Sequence, residues 1–113
     1  MKYIYRGVHA QHPALKDARH GIVRPALPEG EVSAEEHNLG FVSGLSPFTS
    51  WTYDRQLALW HANRYGAGGV LLKVPVGAPV APESWTWVRS EDLWYEDEVL
   101  MRGDRLNVEV VEL

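Results

Sequence analysis

The sequence predicts an α+β domain that is rich in β-strands and has few helices. Lys2–Val8 alternates weakly between polar and apolar residues, and Val70–Val74 is almost continuously apolar, which is typical of a strand inside a sheet. Between them, Asp54 is placed to cap a helix whose apolar residues recur at helical spacing from Leu57 until Gly66. We therefore expect strands on either side of one clear helix.

The other predicted elements are short. They are one or two helical turns over residues 13–19 and strands over residues 48–52 and 85–88. Residues 24–44 contain prolines, glycines and acidic residues, and a surface segment of this length is more often functional or mobile than merely connecting. Near the C-terminus, we expect strands at 98–101 and 106–111 to pair as a hairpin across the Arg-Gly-Asp-Arg sequence between them.

Length and composition narrow the class of protein. A chain of 113 residues is large enough for one core, so residues 1–113 are expected to form a single domain. The formal net charge of −4, without a basic stretch, makes nucleic acid a less favoured partner than protein. No cysteine is present, and no histidine spacing is typical of metal ligands. No apolar run is long enough to span a membrane, and the N-terminus lacks the apolar region of a signal peptide.

Three polar motifs follow one another along the chain. They are Tyr-Arg-Gly at 5–7, Ser-Trp-Thr at 50–52 and Glu-Asp-Glu at 96–98. If the last motif is on a strand, its two glutamates point the same way, and a fold tolerates such like charges best where a cationic group is bound. Taken singly, the arginine predicts a surface residue, the hydroxyls predict ordinary strand residues, and the glutamates predict a solvated face.

In this order and context, the motifs resemble those of mono-ADP-ribosyltransferases of the arginine–serine–glutamate type. The resemblance implies a compact domain with split mixed or antiparallel sheets, NAD as the substrate and no metal. It implies that Glu98 is the catalytic anion beneath the oxocarbenium-like ribose, and that Glu96 meets the acceptor. Ser50 is the first hydroxyl of the family's motif and would brace Glu98, with Thr52 as the third hydroxyl.

The resemblance also assigns the NAD-binding role of the first motif. A guanidinium can bridge phosphate oxygens in a bidentate way, so Arg6 suits the NAD diphosphate or the adjoining ribose. Gly7 would let the backbone approach the dinucleotide closely. Trp51 stands where the family usually has a small residue, and a register that begins at Thr49 stays open.

The implied function is transfer of ADP-ribose from NAD to a macromolecular acceptor, with release of nicotinamide. The acceptor is expected to be a protein, with arginine as the modified residue. The resemblance further implies a toxin or effector domain that is secreted or delivered, acts in the cytoplasm of a target cell and has a cognate immunity protein. Two alternatives stay open: an NAD glycohydrolase that uses the same site, and a non-catalytic module that binds a partner on this scaffold.

Overall fold

An antiparallel sheet organises the part of the chain that the computed structural model describes, which comprises residues 2–26, 30, 48–76, 86–89, 98–102, 107–111 and 113. The described strands are β1 (Lys2–Val8), β2 (Phe48–Thr52), β3 (Val70–Val76), β4 (Thr86–Arg89), β5 (Glu98–Arg102) and β6 (Glu109–Val111). The described helices are α1 (Leu15–Ala18) and α2 (Arg55–Ala62). The predicted α+β class is therefore confirmed.

The strands lie in the order β4-β5-β2-β1-β3-β6. β1 pairs with β3 over its whole length, and β2 does the same with β5. By contrast, β1 and β2 are joined through the single pair Tyr5 and Thr52. The sheet thus consists of two well-paired halves with a narrow junction, and all described pairings are antiparallel, with no parallel pair among them.

The two faces of the sheet are packed differently. One face carries the main buried cluster, to which Ile4, Leu72 and Met101 contribute. On the other face, α2 lies against β1 at Gly7, where an added Cβ would overlap the carbonyl oxygen of Ala58. Glycine at this position therefore lets the helix approach the strand closely, which brings α2 over the junction between the two halves of the sheet.

Helix α2 begins where the sequence predicts and ends earlier than it predicts. The Asp54 side chain accepts hydrogen bonds from the backbone N–H groups of Gln56 and Leu57, at 3.0 and 3.2 Å, as its N-cap position predicts. The helix ends at Ala62, earlier than the apolar spacing up to Gly66 suggests. Neither helix of the described residues is long and apolar enough to cross a membrane.

The predicted C-terminal hairpin is wrong. β5 pairs with β2 on one side and with β4 on the other, so neither edge is available to β6. β6 instead pairs with β3, at the far edge of the sheet. The backbone N–H of Val108, just before β6, donates to the carbonyl of Gly21 at 2.9 Å. This contact fixes the last strand beside the α1 region, far from its neighbour in sequence.

Candidate functional site

A cleft of about 400 Å³ lies at the narrow junction of the sheet. Beyond the pair of Tyr5 and Thr52, β1 and β2 share no further pair in the described part of the chain, and α2 covers the junction from one side. The volume is within the range of about 300–1,000 Å³ that is typical of small-molecule sites. The cleft is therefore the natural candidate for a binding site.

Arg6 lines this cleft from β1. Alternation along the strand puts its side chain on the same face as Ile4 and Val8, which are buried. The guanidinium then turns toward the junction, where its Nη1 donates a 3.0 Å hydrogen bond to the backbone carbonyl of Ser50 on β2. Arg6 thus links the two halves of the sheet just beyond the point where their strands separate.

The environment of Arg6 is costly for a cation. Burial lowers the pKa of Arg6 from its ordinary value to about 10, so the guanidinium remains charged at neutral pH but loses much of its hydration. Among the side chains that the structure describes, which do not include that of Glu98, no carboxylate forms an ion pair with it; the ion pairs found there are Arg24 with Asp17 and Lys73 with Glu109. A buried cation without a protein anion is expensive, and a bound anion would compensate that cost.

The two hydroxyl residues Ser50 and Thr52 of β2 lie on the same face of the sheet. Ser50 is half-buried and Thr52 is buried, and both line the cleft. The Thr52 hydroxyl accepts a 3.0 Å hydrogen bond from the backbone N–H of Asp54, which ties the end of β2 to the start of α2. Thr52 therefore helps to place the helix beside the cleft as well as lining it.

Thr49, the alternative first residue of the hydroxyl motif, has a different environment from Ser50. The Thr49 hydroxyl is buried, accepts from Trp51 Nε1 at 2.9 Å and lies 3.4 Å from the carbonyl oxygen of Met101. Trp51 is only 2% exposed and belongs to the main buried cluster. Thr49 is thus engaged in holding the buried tryptophan, and Ser50 with Thr52 are the hydroxyl residues of this strand that line the cleft.

The glutamate motif reaches the same region through β5. The backbone of Glu98, the first residue of β5, pairs with Thr52 across the ladder between β2 and β5. Tyr5 pairs with Thr52 from the opposite side, so the three residues form one row across neighbouring strands. Glu96 lies outside the described residues, and its predicted role stays a prediction.

Several cleft residues had no role in the sequence-based prediction. His9, His12, His61 and Arg64 line the cleft together with Arg6. The sequence feature that could have indicated His9 and His12 is their position shortly after the Tyr-Arg-Gly motif. That position does not show which residues face the junction between β1 and β2. The residues that the structure describes contain no group of three or more histidine, cysteine or acidic side chains able to hold a metal.

Comparisons with known proteins do not assign the chain to a family. A scan against protein-family models and searches of curated proteins and of solved structures find no match. The resemblance to ADP-ribosyltransferases therefore depends on the three motifs and on where they lie in the fold.

Proposed function

We propose that this chain is an NAD-dependent mono-ADP-ribosyltransferase whose active site is the cleft between β1 and β2. One observation carries the proposal: residues of three motifs that are far apart in sequence lie on the adjacent strands β5, β2 and β1, and those on β2 and β1 line one cleft. The motif residues concerned are Glu98, Ser50 with Thr52, and Arg6.

Arg6 would bind the diphosphate of NAD. The guanidinium has five N–H donors in a rigid fork, and the single protein hydrogen bond found for it in the described region is the one to the Ser50 carbonyl. A diphosphate supplies both negative charge and several acceptor oxygens. Binding would therefore recover much of the free energy that is lost when the cation is buried.

The Glu98 carboxylate would stabilise the sugar during the reaction. The bond between ribose C1′ and the pyridinium nitrogen breaks, and its electron pair goes to that nitrogen, so nicotinamide leaves as a neutral molecule. The ribose becomes oxocarbenium-like, and a fixed carboxylate beneath it is the group that electrostatic stabilisation requires. A nucleophile of the acceptor then bonds to C1′ and gives up its proton to solvent water, and Glu96 is the proposed residue that orients this nucleophile.

Release of nicotinamide from NAD by the purified chain tests the proposal. We expect turnover in the native chain and a loss of about 100-fold or more in Glu98→Gln, which keeps the size of the side chain and removes its charge. The matched control is Glu109→Gln on β6, an exposed glutamate at the far edge of the sheet, which should keep at least half of the native activity. Absence of turnover in the native chain, even with candidate acceptor proteins present, would refute the proposal.

Product analysis separates transfer from hydrolysis. Labelled ADP-ribose attached to an acceptor protein supports a transferase, whereas free ADP-ribose as the whole product supports the glycohydrolase. Glu96→Gln should reduce transfer more than hydrolysis, because its proposed role concerns the acceptor. The expected toxin or effector context, with delivery into a target cell and a cognate immunity protein, is part of the same proposal and would be tested by expression in a susceptible cell.

A further inference from the structure

The segment that follows β1 places two imidazole rings in the cleft in a defined orientation. The backbone N–H of His12 donates to the carbonyl of His9 at 3.1 Å, which closes a tight turn. The N–H of Leu15 then donates to the carbonyl of His12, also at 3.1 Å. Both rings line the cleft that contains Arg6. The backbone that carries them is thus held on both sides of His12.

The Nδ1 atom of each ring already accepts a hydrogen bond from a backbone N–H group. The N–H of Ala14 donates to Nδ1 of His12 at 2.9 Å, and the N–H of Gln11 donates to Nδ1 of His9 at 3.1 Å. A nitrogen that accepts a hydrogen bond carries no proton, so the proton of each neutral ring is on Nε2. In the described part of the structure, neither Nε2 has a hydrogen-bond partner.

His12 stays neutral under ordinary conditions. Burial, the positive charge of Arg6 and the proximity of His9 lower the pKa of His12 to about 4. The hydrogen bond from Ala14 acts in the same direction, because a protonated Nδ1 could not accept it. A neutral ring with its proton on Nε2 is a hydrogen-bond donor that adds no second full charge beside Arg6.

Packing holds the His12 ring in place. The His9 ring meets it edge to face with 5.2 Å between centroids, and the Tyr65 ring contacts His9 in the same way, with 4.6 Å between centroids. Aromatic pairs in this arrangement restrict ring rotation. A donor whose position is fixed in this way loses little conformational entropy when a ligand binds.

The described lining of the cleft suits an anion. It contains the guanidinium groups of Arg6 and Arg64 and three imidazoles, and no aspartate or glutamate is among its described residues, although the chain as a whole has a net charge of −4. A planar carboxylate would be saturated by one guanidinium. A phosphate has oxygens pointing in several directions and can accept from a guanidinium and an imidazole at once.

We propose that His12 is a phosphate-binding residue: its Nε2–H donates to an oxygen of a nucleotide phosphate that Arg6 holds through its guanidinium, and His9 positions the His12 ring. The identification of the nucleotide as NAD rests on the proposed function, but the phosphate contact does not. ADP, inorganic pyrophosphate and adenosine are therefore suitable probes, since they separate the phosphate contact from recognition of the nucleoside.

The test compares ADP binding by calorimetry at pH 7 in the native chain and in His12→Asn. An asparagine oxygen can accept from the N–H of Ala14 in the same turn, so this variant keeps the local fold and removes the Nε2–H donor. We expect ADP affinity to fall about tenfold or more. Adenosine should bind equally to both proteins, and pyrophosphate should lose affinity as ADP does.

Two matched variants complete the design. His12→Gln can place an amide donor near the position of Nε2 and should recover part of the ADP affinity. His20→Asn changes an exposed histidine outside the cleft and should bind ADP like the native chain. Absence of ADP binding to the native chain, an affinity of His12→Asn within twofold of native, or an equal loss for adenosine would each overturn the inference.

The two proposals can fail separately. Nicotinamide release with ADP binding that does not depend on His12 would leave the transferase proposal standing and remove the phosphate contact. ADP binding that depends on His12, without any cleavage of NAD, would support the phosphate contact and remove the transferase proposal.

Discussion

The substitution Arg6→Met tests whether the chain keeps Arg6 for binding and not for stability. Methionine has an unbranched side chain of similar reach, has no charge and fills irregular buried space well. If the guanidinium is there to meet an anion, its removal should leave the fold intact and abolish that binding. If Arg6 is mainly the link between β1 and β2, its removal should destabilise the fold.

The expected change in stability follows from two opposing contributions. Because the pKa of Arg6 is lowered from its ordinary value to about 10, holding the protonated guanidinium in the folded state costs about 3 kcal/mol, at about 1.36 kcal/mol for each pKa unit. The hydrogen bond to the Ser50 carbonyl returns about 1–3 kcal/mol. At pH 7 both states are protonated, so the net effect of Arg6→Met is an unfolding free energy that is unchanged or higher by up to about 2 kcal/mol.

Urea unfolding and calorimetry with NAD provide the measurements. We expect Arg6→Met to unfold at the same or higher urea concentration and to bind NAD more than tenfold more weakly. Arg6→Lys keeps the charge but not the planar fork, so it should fall between the native chain and Arg6→Met in NAD affinity. A loss of more than 2 kcal/mol of stability in Arg6→Met, together with undiminished NAD binding, would show that Arg6 is a structural residue and refute this reasoning.

Three further predictions concern stability. Gly7→Ala should lose at least about 2 kcal/mol in urea unfolding because its Cβ would overlap the Ala58 carbonyl; an unchanged midpoint would contradict the close approach of α2. Asp54→Ala should lose about 1 kcal/mol in thermal unfolding and Asp54→Asn much less, and equal losses would contradict the cap. Because the pKa of His12 is about 4 when folded and 6.5 when unfolded, the unfolded state binds more protons between these pH values, so stability should fall as pH drops from 6.5 to 4. The full change in the pKa of His12 corresponds to about 3 kcal/mol of unfolding free energy, which partial exposure of the ring reduces to about 1–2 kcal/mol. Urea unfolding measured across this pH range should show the decrease in the native chain and not in His12→Asn. The same pH dependence in both proteins would contradict the prediction.

Local patterns in the sequence were sufficient for the individual strands and for α2. The predicted range of β2 is the observed one, and β1 extends one residue beyond its predicted end at Gly7, because strand alternation and turn residues act over a few positions. The cap at Asp54 was predictable for the same reason, since it involves amides two and three residues away. The predicted polar motifs at Arg6 and Ser50 meet at one cleft, as a shared site requires.

Strand pairing was not predictable in the same way. The Arg-Gly-Asp-Arg sequence after β5 is a reasonable turn signal, but whether a hairpin forms depends on which strands already occupy the two edges of β5. β2 and β4 occupy them, and the contact between Val108 and Gly21 holds β6 elsewhere. The cleft is also non-local, because it exists where β1 and β2 stop pairing, and no residue near His12 in sequence indicates that.

The features that local rules explain least well lie together. Arg6 is a partly buried cation without an anion among the side chains that the structure describes, the sheet is joined there by a single pair of residues, and His12 is held neutral beside that cation. Each feature lowers stability or leaves pairing incomplete, and a sequence selected for stability alone would remove them one at a time. A bound phosphate would satisfy Arg6 and His12 together and would occupy the space that the missing strand pairing leaves open. One ligand therefore accounts for three separate features that lower the stability of the fold. This favours a nucleotide-binding function for the cleft over a purely structural role for its residues.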